Sequence, residues 1–118
     1  MQKTNAIVIT GGYLDTSNAK TAHGLIRGTD RFNIVGIIDH KHPGKDAGEI
    51  LDKQKRNIPV FATIADALQA SSTPIKYCVI GVATKGGVIP ETLRVMIKEA
   101  LEHNLSIVNG LHDYVSEH

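Results

Sequence analysis

Five short apolar runs cross this chain, and the stretches between them are polar or spaced like helices. The first run is Asn5-Ala6-Ile7-Val8-Ile9-Thr10, and it ends at Gly11-Gly12. Ala6 to Thr10 are all small, apolar or β-branched, which suits a strand covered on both faces of a parallel sheet. A polar stretch, Asp15-Thr16-Ser17-Asn18, opens a helix predicted from about Asn18 to Arg27, with Thr16, Ser17 or Asn18 as N-cap. Ala19, Ala22, Leu25 and Ile26 fall on one helical face, and Gly28 supplies a stop. The second strand is Asn33-Ile34-Val35-Gly36-Ile37-Ile38, closed by Asp39.

Residues 40–57 read as a polar excursion with a turn at Pro43-Gly44 and a short helix around Ala47–Lys55. Ile58-Pro59-Val60-Phe61 forms a third strand, whose proline argues for a sheet edge. Thr63-Ile64-Ala65-Asp66 has the form of a capping box with Asp in the Glu position, and it starts a helix through Ala70. After the loop Ser71-Ser72-Thr73-Pro74 comes a fourth strand, Tyr77 to Ala83, and a second glycine turn, Thr84-Lys85-Gly86-Gly87. Pro90 suits the first position of the next helix, which carries the stripe Leu93, Met96, Ile97, Ala100 and Leu101 and ends near Asn104. Ser106-Ile107-Val108-Asn109-Gly110 is the fifth strand.

Alternating strands and helices predict a Rossmann-like three-layer α/β/α fold with a mostly parallel five-stranded sheet in the order 3-2-1-4-5. Strands one and four then flank the topological switch. Their glycine turns lie side by side at the carboxyl edge, where open α/β sheets bind ligands. At 118 residues the chain is expected to be one domain.

Composition narrows the function. A net charge of +1 gives no field suited to nucleic acid or to an anionic membrane. The apolar runs are too short to span a bilayer. No secretory pattern follows Met1, so the expected location is cytoplasmic. The single cysteine, Cys78, lies in an apolar run and reads as a buried, inert thiol.

The candidate ligand site is a set of backbone and polar groups. Gly11-Gly12 before a helix start could present N–H groups to an anion. Lys20-Thr21 echoes the end of a P-loop, although Ala19 replaces its glycine. Asp39 stands where dinucleotide-binding folds place a carboxylate for ribose hydroxyls. Thr84, Lys85, Gly86 and Gly87 are candidates for the ligand's other side. The dinucleotide fingerprint G-x-G-x-x-G is not present. Asp39, His40 and His42 lack a further ligand for a metal, so none is expected. No serine sits in a G-x-S-x-G elbow, and no catalytic residue is nominated.

Three segments carry a family resemblance. They are Lys20-Thr21-Ala22 with Gly24-Leu25-Ile26-Arg27; Val35-Gly36-Ile37-Ile38-Asp39 with Pro43-Gly44-Lys45-Asp46-Ala47-Gly48; and Gly81-Val82-Ala83 through Gly86-Gly87-Val88-Ile89-Pro90-Glu91 to Asn109-Gly110-Leu111-His112. The chain resembles the N-terminal Rossmann-like domain of a prokaryotic two-domain family. Its members are labelled NAD-dependent epimerase/dehydratase-like or uncharacterised, and some are assigned as D-glutamate N-acetyltransferases. The resemblance implies a following P-loop domain that this chain does not contain. It also implies a binding role for the glycine turns. The fourth-strand loop and the helix after it are similar to CoA-binding domains of acyl-CoA ligases. Neither G-x-x-G-x-x-G nor Tyr-x-x-x-Lys, the marks of the epimerase/dehydratase label, is present.

The expectation is therefore a nucleotide- or dinucleotide-binding module of a larger enzyme, with NAD or a CoA-type nucleotide as ligand. The partner is a small molecule, with no nucleic acid or membrane, and a homo-oligomer is compatible with it. The alternative is a structural or oligomerisation module that has kept the fold without the site.

Overall fold

The structure, a computed structural model, describes residues 4–16, 19–82 and 91–109. Strand β1 (Thr4–Ile9) lies at the centre of a five-stranded sheet. It pairs in parallel with β2 (Phe32–Ile38) on one side and β4 (Tyr77–Ile80) on the other. The outer strands are β3 (Val60–Phe61), parallel to β2, and β5 (Ser106–Asn109), parallel to β4. The order is β3-β2-β1-β4-β5, as the alternation of elements predicts. The helices are α1 (Lys20–Arg27), α2 (Ala47–Asp52), α3 (Ile64–Ala70) and α4 (Glu91–Glu102). Right-handed crossovers put α1 and α2, which touch each other, on one face, and α3 and α4, also in contact, on the other.

The centre of the sheet carries the core because it is covered on both sides. Ala6, Ile7, Val8 and Ile9 of β1 are all fully buried. Burying a side chain of isoleucine or valine size is worth roughly 1.5–3 kcal/mol, so β1 alone supplies much of the driving force. Helix α1 comes close to the sheet where Gly81 follows β4. A Cβ built on Gly81 would lie 2.6 Å from Val8 Cγ1 and 2.8 Å from Ala22 Cβ.

Several boundaries differ from expectation. The third strand is two residues long, because Pro59 instead makes an isolated antiparallel bridge with Asp46. Helix α2 stops at Asp52, where Lys53 turns left-handed with φ of 63°. Helix α1 is preceded by Ala19, which has no side chain to cap it, and Thr16 instead donates its hydroxyl to the Tyr13 carbonyl. Ser17, Asn18, Ala83, Pro90 and Gly110 lie outside the described residues.

Asp46 organises the excursion. Its carboxylate accepts from the N–H groups of Glu49 at 3.1 Å, Arg56 at 2.9 Å and Ile58 at 2.9 Å, so one side chain caps α2 and ties its far end back. Desolvation pushes its carboxyl up, but hydrogen bonds from the backbone of Arg56, Ile58, Glu49 and Gly48 outweigh it. The group sits below its ordinary 3.8. Cys78 is buried in β4, and burial pushes its thiol up to about 12. No helix among the described residues is long and apolar enough to cross a membrane.

Candidate functional site

The carboxyl ends of β1 and β2 run into the loops that carry the candidate residues. Thr10 ends the apolar run, and the chain then turns through Gly11 and Gly12 with φ of 58° and 99°. Both values lie in the left-handed region that favours glycine. Close approach adds a second reason. A Cβ on Gly11 would meet Leu93 Cδ2 and Thr92 Oγ1 at 3.1 Å, and one on Gly12 would meet His40 Cε1 at 2.8 Å. The glycines thus make room for α4 and for His40.

Asp39 is the centre of this edge. It is fully buried, and among polar residues only Thr10 is described as equally so. Its Oδ2 accepts from Thr10 Oγ1 at 2.7 Å, Gly12 N at 3.0 Å and Leu14 N at 3.0 Å. Its Oδ1 accepts from Lys41 N at 2.9 Å. The other loop donors also turn inward. Thr10 N and Gly11 N reach the Ile38 carbonyl at 3.1 and 3.4 Å, and Tyr13 N reaches the Thr10 carbonyl at 2.9 Å. Every backbone N–H from Thr10 to Leu14 therefore has a partner inside the protein. His23 holds the outer end of the loop, with Nε2 2.6 Å from the Leu14 carbonyl oxygen, a contact that requires the hydrogen on Nε2.

This geometry bears on two expectations. The N–H groups of Gly11 and Gly12 do not form an open anion cradle, because Ile38 and Asp39 already take them. Asp39 does not offer its carboxylate at the surface for a ribose, because four internal donors hold it in. Its place at the end of β2 was legible in the sequence, but the direction of its side chain was not.

The remaining candidates are not drawn together with that loop. Lys20 is exposed and Thr21 half-buried at the start of α1. The first-turn N–H of Ala22 goes to the Gly81 carbonyl at 3.1 Å. Thr84, Lys85, Gly86 and Gly87 lie outside the described residues.

Among the described residues, an apolar and a polar cleft open on this edge. The apolar one, of about 260 Å³, lies on the α3–α4 side, lined by His40, Ala62, Thr63, Glu91, Thr92, Val95, Met96 and Glu99. Its walls are fixed: Thr92 Oγ1 donates to the Gly11 carbonyl at 3.2 Å, and Glu99 Oε2 accepts from Ala65 N at 3.2 Å, tying α4 to α3. Thr63 caps α3 by accepting from Asp66 N. Sequence reasoning missed this cleft: His40 enters there only beside Asp39 and His42 as an incomplete metal set, Thr63 only as the start of a capping box, and Thr92 not at all.

The second cleft, about 660 Å³ and polar, is lined by Asp15, His42, Gly44, Lys45, Asp46, Glu49, Ile50 and Lys55. His42 Nε2 lies 3.4 Å from Asp15 Oδ2 without the alignment of a hydrogen bond. Among the described residues, no three His, Cys, Asp or Glu side chains gather into a metal-holding group.

No curated protein matches this chain. Among solved structures, a DUF1611 family protein from Anabaena variabilis ATCC 29413 superposes with a TM-score of 0.76 at 27% sequence identity. The match covers 91% of this chain and 29% of that one, so the chain spans less than a third of its relative's length. Residues 40–118 match the family described as a domain of unknown function (DUF1611_N), Rossmann-like domain. With more than half of its length matched, the chain belongs to the DUF1611_N family of Rossmann-like domains.

Proposed function

We propose that this chain is a ligand-binding module of a larger enzyme, and that it holds the adenosine end of a nucleotide-type ligand in the apolar cleft beside α4. The observation that carries this reading is the cleft itself. It lies at the carboxyl edge of an open parallel sheet, and its walls are mostly apolar with a few polar groups at the rim, the surroundings a flat heteroaromatic base requires. NAD, CoA and ATP share an adenosine, so one cleft could serve any of them. Lys20, Thr21 and the Thr84-Lys85-Gly86-Gly87 turn are the proposed contacts for the rest of the ligand. The reaction, whether N-acetyl transfer to a D-amino acid or nicotinamide chemistry, would belong to the longer protein.

The test is calorimetric titration with adenosine, AMP, NAD, NADP, CoA, acetyl-CoA and ATP, repeated on Val95→Trp. Val95 lines the cleft and is 56% exposed, so a tryptophan there fills the cleft without entering the core. Saturable binding of adenosine compounds that Val95→Trp abolishes is the expected result. Binding that survives the substitution, or no binding by the folded chain, defeats the reading.

A structural or oligomerisation module is the second reading. The observation in its favour is that the turn after β1 spends its backbone donors from Thr10 to Leu14 on the protein itself.

A further inference from the structure

In folds of this kind, the loop after the first strand gathers N–H donors that point at a ligand's phosphate. Here the donors also converge, but on a side chain. Thr10 Oγ1, Gly12 N and Leu14 N meet at Asp39 Oδ2 within 2.7–3.0 Å, and Lys41 N closes on Oδ1 at 2.9 Å. Three donors on one oxygen of a fully buried carboxylate is the environment of an anion in a backbone nest.

We propose that Asp39 fills the anion position of this loop from within, and that the ligand taken at this edge places an uncharged or cationic group, never a phosphate, over Gly11 to Leu14. The proposal rests on the reading of the edge as a ligand site. It adds the chemical class accepted there: a nucleoside or a similar neutral heteroaromatic group, with any phosphate directed away from the loop.

Two physical reasons support it. A phosphate at the turn would have to break hydrogen bonds already made, and each buried acceptor left bare costs free energy. It would also stand beside a carboxylate of the same sign in a low-dielectric setting, where repulsion is strong. His40 against Gly12, with Lys41 Cε placed 3.4 Å from where a Gly12 Cβ would lie, covers the turn from outside.

The experiment is a ¹H–¹⁵N and methyl NMR titration of the wild-type chain with inorganic phosphate, pyrophosphate and adenosine. The expected result is that phosphate and pyrophosphate leave the Gly12 and Leu14 amides without saturable shifts. Saturable shifts there overturn the proposal. Adenosine is read separately at the Met96 methyl, in the cleft. If Met96 does not respond, the cleft reading fails by itself, while the phosphate titration still decides the role of Asp39.

A variant gives the complementary test. Asp39→Ala removes the carboxyl group and leaves four donors facing the space. Formate should then raise its melting temperature saturably by several degrees, with chloride at equal ionic strength and the wild type as unresponsive controls. A folded Asp39→Ala that gains nothing from formate overturns the proposal. Should that variant not fold, the wild-type titration decides alone.

Discussion

Ala22, in the first turn of α1, donates its backbone N–H to the carbonyl of Gly81, 3.1 Å away at the end of β4. A donor that a helix start leaves without an intrahelical partner is thus spent on joining two distant parts of the chain. The bond is possible because Gly81 has no side chain: a Cβ there would lie 2.8 Å from Ala22 Cβ and 2.6 Å from Val8 Cγ1. Gly81→Ala is therefore expected to destabilise the fold by about 1–3 kcal/mol, the range for overpacking a filled core. Denaturant unfolding of wild type and variant measures it. A loss under half a kilocalorie would mean that α1 can retreat from the sheet at little cost.

Gly12→Ala should also destabilise, for two separable reasons. The backbone strain of a left-handed alanine is on the order of 1–2 kcal/mol. The contact with His40 Cε1, 2.8 Å from the built Cβ, adds to it. His40 is exposed, so removing it relieves the contact and leaves the strain. A double-mutant cycle with His40→Ala should show Gly12→Ala costing less in the His40→Ala background, while still costing about 1 kcal/mol or more. Strict additivity would show that His40 does not press on the turn.

Asp46 gives stability a defined pH dependence. Its folded carboxyl lies below the ordinary 3.8 of the unfolded chain, so its contribution is full above that value and is lost as pH falls through the lower folded one. Asp46→Asn should melt below wild type at pH 7. The gap between the two melting temperatures should narrow as pH drops below about 4. A constant gap from pH 7 to pH 3 would show that charge plays no part in the cap.

Cys78 should be chemically silent in the folded chain. Its sulfur is buried in β4, and its thiol is pushed up to about 12. A thiol reagent at neutral pH should label it only through unfolding, at a rate that rises with denaturant as global unfolding does. Fast labelling in water would reveal a local opening between β1 and β4.

The sheet was legible because its strands are apolar runs bounded by glycine, proline and polar residues. The runs read as Tyr77 to Ala83 and Asn33 to Ile38 need no partner to be recognised, and they hold Tyr77–Ile80 and all but the first residue of Phe32–Ile38. Pro59 announced an edge, and the edge is there, although Asp46 takes part of that strand into a bridge. The site was less legible because its chemistry depends on direction. Asp39 at a strand end reads the same whether its carboxylate faces a ribose or folds back on Gly12 and Leu14. The apolar cleft was invisible for another reason: His40, Thr63 and Thr92 are far apart in the chain, and only the crossover of α4 over the edge brings them together.

The network around Asp39 also dictates an order of events as the chain is made. The loop from Thr10 to Leu14 has almost no local source of shape. Apart from Tyr13 N, which reaches the Thr10 carbonyl, its donors are met by Ile38 and Asp39, 25 to 29 positions later in the chain. A nascent chain that has emerged only as far as α1 carries this loop without its template, and the loop takes form when β2 docks. In the finished protein the same dependence persists as shared fate. Hydrogen exchange at Gly12 and Leu14 should follow the opening of β2 and not the fraying of α1, although both amides precede that helix in the sequence.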